Sequence, residues 1–128
     1  MNLSILKINI DFRYYINYLN IGDMIMQDPI RKIFLAFIEI HILHHAKKEP
    51  IYGSWMIEEL KHHGYDISAG TLYPIFHKME KSSLIKSEKV LFEGKIRKYY
   101  SITETGEKTL NEALIKIKEL SNEIKIES

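Results

Sequence analysis

The chain has 128 residues, 45% apolar and 27% charged, which is room for one domain with one modest core and none for a separate catalytic domain. It has no cysteine, which excludes disulfides and thiolate metal sites. The net charge of +1 does not point to nucleic acid by itself. Its distribution does: Lys+Arg against Asp+Glu is 6 to 7 in residues 1–60, 8 to 4 in residues 61–100 and 4 to 6 in residues 101–128, so a polyanion would meet the middle segment.

Residues 1–26 read as an extension ahead of the main domain. In it Phe12, Tyr15, Ile16 and Leu19 fall at i, i+3, i+4 and i+7 behind Asp11 as an N-cap, which predicts a short amphipathic helix. Composition shifts over residues 22–29, and Met24 or Met26 is an alternative start that would leave residues 1–23 outside the native chain. No run reaches the roughly 18 apolar residues of a membrane span, because Glu39 and His41 interrupt residues 33–43. The opening residues lack a small-residue cleavage site, so the cytoplasm is the expected compartment.

From Pro29, suited to a helix N1 position, the run Ile30, Ile33, Phe34, Phe37, Ile38, His41 and Ile42 is helical in period and apolar almost all round, and such a helix should be covered on two sides. Lys47, Lys48, Glu49 and Pro50 end it. A second helix is expected from Tyr52 to His63, with Trp55, Met56, Leu60 and Ile57 inward and Gly64 as its C′ residue. Trp55 reads as core, and Met24, Met26, Met56 and Met79 as gap-fillers. Ser68 then suits the N-cap of a third helix whose inner stripe is Leu72, Ile75, Phe76 and Met79. Its opposite face carries Gly70, Pro74, His77 and Lys81, flanked by Tyr73 and Lys78. Pro74 lacks an N–H, so a short, tight first turn is expected.

Residues 85–92 and 95–102 are rich in β-branched and aromatic side chains around Glu93-Gly94, which predicts a β-hairpin. Lys86, Lys89, Lys95, Arg97 and Lys98 make it cationic against Glu88 and Glu93. Thr103 caps a long last helix in which Leu110, Ala113, Ile117, Leu120 and Ile124 repeat at 3, 4, 3, 4, a seam that a second copy of the chain would satisfy. The order helix, helix, helix, hairpin predicts a mainly α, α+β winged helix-turn-helix over residues 27–102, with a dimerisation helix over 103–128.

Three stretches resemble the PadR family of transcriptional regulators: Pro50-Ile51-Tyr52-Gly53, Ser68-Ala69-Gly70-Thr71-Leu72-Tyr73-Pro74, and Arg97-Lys98-Tyr99-Tyr100-Ser101-Ile102-Thr103-Glu104-Thr105-Gly106. The likeness covers about residues 30–125 and looks like the short subgroup. It implies repressors that dimerise through the first and last helices and release DNA when a small-molecule effector binds or the dimer rearranges. Carried over by position, Tyr52, Ser68, Gly70, Thr71, Tyr73 and Pro74 would line the DNA face, and Arg97 and Lys98 the wing. Phe34 and Phe37 join the C-terminal seam as expected dimer residues. Some short members sandwich flat aromatic drugs between aromatic residues of the last helix, and residues 110–126 contain none.

Independently of that likeness, the outer face of the third helix coincides with the positive segment and adjoins the hairpin. Contact of Tyr73, Pro74 and His77 with DNA is therefore favoured over a bare solvated face. Phosphate neutralisation explains the clustering of Lys78, Lys81, Lys89, Lys95, Arg97 and Lys98. His41, His44 and His45 lie at i, i+3 and i+4, and His62-His63 add two imidazoles, a spacing compatible with a metal. With Glu39 and Glu49 as the only carboxylates in register, interface or surface histidines are expected instead, and no metal or other cofactor is assigned. No phosphate loop, nucleophile elbow or Cys–His pairing supports an enzyme. The expected function is sequence-specific binding of double-stranded DNA as a homodimeric repressor. The rival readings are a protein-binding winged helix and a metal-responsive regulator using the first-helix histidines.

Overall fold

A computed structural model describes residues 29–125 of the chain. The N-terminal extension, with its expected helix at residues 12–19, lies outside the described residues. The elements are α1 (Pro29–Lys48), α2 (Gly53–His62), α3 (Ala69–Lys81), β1 (Ile85–Phe92), β2 (Lys95–Ile102) and α4 (Glu104–Ile124). This is the expected winged helix-turn-helix followed by one long helix.

The inner stripes meet in one core. Ile38, Ile42, Leu43 and Ala46 of α1 face Met56 and Leu60 of α2, Leu72, Ile75, Phe76 and Met79 of α3, Ile85 and Tyr100 of the hairpin, and Leu110 of α4. Each such side chain, fully buried, contributes roughly 1.5–3 kcal/mol, so the four-residue α3 stripe alone decides how that helix sits. α3 starts tightly, as its proline requires: the Thr71 and Leu72 amides both donate to the Ser68 carbonyl at 3.0 Å. Ser68 is the N-cap residue, but its hydroxyl makes no capping bond and stands 3.4 Å from Thr71 Oγ1 instead.

The strands pair antiparallel from Ile85 opposite Ile102 to Phe92 opposite Lys95. Glu93 and Gly94, at φ 48° and 77°, form the left-handed pair that a two-residue hairpin turn needs. One contact was not legible in the sequence. Ile51, between α1 and α2, exchanges two backbone bonds with Tyr100, 2.9 Å from its own N–H and 2.7 Å from that of Tyr100. The wing is thereby tied to the root of the helix-turn-helix, and the Tyr100 ring lies 4.2 Å from that of Phe76.

One expectation about α4 is corrected. α1 packs against α2, β2 and α4, and Phe34 lies partly against the core, edge-on to Tyr65, while Ile30, Ile33 and Phe37 are exposed. Leu110, placed in the C-terminal seam by its spacing, is 2% exposed inside the protomer's own core, so it has no side chain to offer a partner. α4 leans on α1 at this end, and its apolar residues emerge only further along, at Leu114, Ile117, Leu120 and Ile124.

The start of α4 is anchored by Thr103, whose hydroxyl accepts from the Gly106 amide at 2.9 Å and donates toward the Ser83 and Leu84 carbonyls. Gly106 is buried there, and a Cβ on it would run into the Leu84 carbonyl oxygen and stand 2.8 Å from Ile102 Cγ1. Backbone cannot yield as a side-chain tip can. Gly106→Ala should therefore destabilise by about 1–3 kcal/mol in urea or thermal unfolding despite alanine's better helix propensity. An unchanged or raised stability would mean that α4 does not dock on the α3–β1 turn in this way.

Candidate nucleic-acid interface

The outward face of α3 carries Gly70, Tyr73, Pro74, His77, Lys78 and Lys81, all exposed, with Ser68 exposed just before it and Thr71 half-buried. Beside it, the wing and the start of α2 enclose an open cleft of about 450 Å³ lined by Tyr52, Gly53, Tyr73, Phe92, Lys95, Ile96, Arg97 and Lys98. Five of the residues singled out in the sequence thus meet around one cleft: Tyr52, Tyr73, Lys95, Arg97 and Lys98. Gly70, Pro74, His77 and Lys81 extend the surface along α3, and Lys89 extends it along β1.

Arg97 is held rather than free. Its guanidinium carbon lies 4.0 Å from the Tyr52 ring centroid and 4.5 Å from that of Phe92, and one terminal nitrogen donates to the Tyr99 hydroxyl at 3.3 Å. Tyr52 and Tyr99 meet edge to face at 5.4 Å. Each cation–π contact is worth about 0.5–1 kcal/mol at such an exposed site, enough to orient the planar fork without withdrawing its charge. The strand register sets Lys89 opposite Lys98, like charges in directly facing positions, which a sheet tolerates poorly on its own. Lys98 is partly compensated by Glu80 at 3.7 Å. Lys78 turns back to Glu39 of α1 at 3.1 Å, away from the wing. Such exposed pairs are worth about 0–1 kcal/mol and exchange readily for phosphate. Among the described residues, Lys81, Lys89 and Lys95 have no carboxylate partner within ion-pair distance.

Sequence reasoning missed Gly53, Phe92 and Tyr99. Phe92 and Tyr99 carry no periodicity beyond that of their strands, and their use as a cradle for Arg97 depends on the twist of the hairpin. Gly53 shows its role only by what it admits. The Tyr73 hydroxyl occupies the place where its Cβ would be, so α3 and α2 approach through a missing side chain.

A helix-turn-helix whose third helix presents a small, then basic, exposed face beside a cationic two-stranded wing belongs to the winged-helix class of DNA-binding transcriptional regulators. Residues 42–112 match the model of the transcriptional regulator PadR-like family. The chain is 38% identical over 95 residues to the transcriptional regulator Rv3488 of Mycobacterium tuberculosis, covering 74% of this chain and 89% of that one. The chain therefore belongs to the PadR-like family of transcriptional regulators. Among solved structures it is similar to a PadR-like transcription factor from Bacteroides fragilis, at 32% identity and a TM-score of 0.67, with 77% of this chain and 97% of that one covered. It is also similar to a PadR family transcriptional regulator from Eggerthella lenta, at 30% identity and a TM-score of 0.62, with 79% and 93% covered. No helix among the described residues is long and apolar enough to cross a membrane.

Gly53→Ala tests the close approach of α2 and α3. The obstacle is the end of an exposed tyrosine side chain, and alanine improves the helix by up to about 1 kcal/mol. Unfolding should therefore shift by less than about 1 kcal/mol, while the Tyr73 ring resonances move. A loss as large as that of a core overpacking, or Tyr73 resonances that stay in place, would contradict the contact.

Proposed function

We propose that the chain binds duplex DNA as a homodimer and represses the promoters it occupies, acting in the cytoplasm as a regulator rather than an enzyme. The observation that carries this reading is the continuity of the exposed α3 face with the wing cations across one cleft. In this arrangement α3 enters a major groove, where Tyr73 and His77 approach base edges. Arg97, Lys98, Lys95 and Lys89 meet phosphates along the adjoining backbone, with Tyr52, Ser68 and Thr71 as hydroxyl contacts and Gly70 and Pro74 allowing close approach. Lys81 adds charge at the far end of the helix, and Lys78 joins it only by leaving Glu39.

The dimer rests on apolar side chains exposed among the described residues: Ile33 and Phe37 on α1 with Ile117, Leu120 and Ile124 on α4, all between 38% and 58% exposed. Ala113 is half-buried at their edge and Phe34 lies beneath them. A strip of this kind along two packed helices is costly in water and is closed by a twofold copy of itself. The twofold then sets two α3 helices about one turn of duplex apart.

Fluorescence anisotropy with the region upstream of the chain's own gene tests the DNA reading. Affinity should fall on the order of 10³-fold between 50 and 200 mM salt if about six phosphates are neutralised. Arg97→Ala or Lys89→Ala should weaken all sequences alike and flatten the salt slope, whereas Tyr73→Ala and His77→Ala should change the preference among sites. Absence of specific binding at every ionic strength would refute it. A protein-docking wing is favoured by one feature, the apolar tip where Leu91 and Ile96 face each other across the strands, each 72% exposed; a partner seated there would give almost no salt dependence.

Ile117→Glu with Leu120→Glu tests the dimer. Sedimentation should show a dimer for the parent chain and a folded monomer for the double variant, with operator affinity reduced at least about 100-fold as the second half-site is lost. A dimer that survives both charges would place the interface elsewhere.

A further inference from the structure

The histidines of α1 gain partners that their own helix could not supply. His41 and His45 stand one turn apart with nearly parallel rings, 11° between planes. His63, at the C-cap of α2, brings its ring to 4.6 Å from that of His41. One nitrogen from each of His41, His45 and His63 lies within 4.8 Å of the other two. The carboxylate comes from α2, Glu39 of α1 being turned to Lys78: Glu59 Oε1 is 3.2 Å from His63 Nε2 and 3.4 Å from His45 Nε2. Four-coordinate zinc with bonds of about 2.0–2.2 Å needs donor atoms roughly 3.3–3.6 Å apart; the Glu59 edges to His45 and His63 are close to that span, and the three imidazoles, within 4.8 Å of one another, and the Glu59–His41 edge close on it by side-chain rotation.

We propose that His41, His45, His63 and Glu59 form a binding site for a divalent transition metal, with zinc as the reference ion, joining α1 to the C-terminal turn of α2. Three imidazoles and one carboxylate suit zinc, nickel, cobalt or copper rather than the oxygen-seeking calcium or magnesium. Burial, reinforced by the neighbouring histidines, lowers the His41 pKa to about 4, and burial also lowers that of His45, which favours the uncharged imidazoles that coordination uses. The Tyr65 ring packs edge-on to His41 at 5.4 Å and the Trp55 ring edge-on to His45 at 5.3 Å, which restrains both imidazoles before any ion arrives. The opposite side of the site is open, because His63 is exposed. His44 is exposed and is not among the three imidazoles that converge; it lines a small apolar cleft with Phe37, Ile40, His41 and Leu114.

The test is calorimetric titration of the chelator-stripped full chain with zinc chloride, together with the visible absorption of the cobalt-loaded protein. One zinc per protomer, a tetrahedral cobalt spectrum and a zinc-dependent rise in melting temperature are expected. His45→Ala, His63→Ala and Glu59→Gln should each lower zinc affinity by at least about 10-fold, and His44→Ala should change it less than about twofold. His63 is exposed and Glu59 half-buried, and a melting curve without zinc checks that both variants keep the fold. No saturable zinc uptake, or uptake indifferent to His63 and Glu59, would overturn the site. The titration contains no DNA, so its outcome is independent of whether the operator reading holds.

Discussion

The clasp between Ile51 and Tyr100 sets the geometry on which the remaining surfaces depend. Two reciprocal backbone hydrogen bonds join the segment before α2 to the end of β2, and the Tyr100 ring then lies against Phe76 in the middle of α3. A two-stranded hairpin by itself is marginal in water. Here its inner end is fastened at once to the first and second helices of the helix-turn-helix, so the wing is held at a fixed angle to the outer face of α3. The cleft between Tyr52, Tyr73 and Arg97 is a consequence of that angle.

Charge is arranged on this frame at some local cost. Lys89 opposite Lys98 is an unfavourable pairing within a free sheet, and Glu80 relieves only one of the two. Arg97 draws its order from Tyr52, Phe92 and Tyr99, contacts that hold its position while leaving its charge available. An arrangement that stabilises position but not charge suits an anionic partner, which supplies the missing neutralisation itself. A nearly neutral chain can thereby present a strongly cationic surface over a small area.

α1 explains its own composition by serving three neighbours. Ile38, Ile42, Leu43 and Ala46 enter the protomer core; Ile33 and Phe37 are exposed, Phe37 beside Leu114 of α4; and His41 and His45 turn to the end of α2. Apolar residues all round a helix would otherwise mean a helix wrapped by its own chain. Among the described residues part of that cover is missing, since Ile33 and Phe37 remain exposed. The histidines fill the remaining sector, where a mixed polar and aromatic environment replaces aliphatic packing.

Periodicity and local chemistry determined the elements. The Leu72, Ile75, Phe76 and Met79 stripe, the Glu93-Gly94 turn and the Thr103 cap each act within a few residues, so their structural outcome could be read from the chain alone. The outer face of α3 followed from the same periodicity. Contacts between distant segments could not be read in that way. The Ile51–Tyr100 bridge, the seating of Tyr73 over Gly53, the aromatic cradle of Arg97 and the approach of Glu59 and His63 to His41 and His45 join residues that no local pattern relates. Leu110 shows the same limit: its spacing assigns it to a seam, but whether a seam residue faces a partner or its own core depends on where α4 leaves α1. Spacing along a helix specifies which residues share a face; only the packing of the helices decides what that face meets.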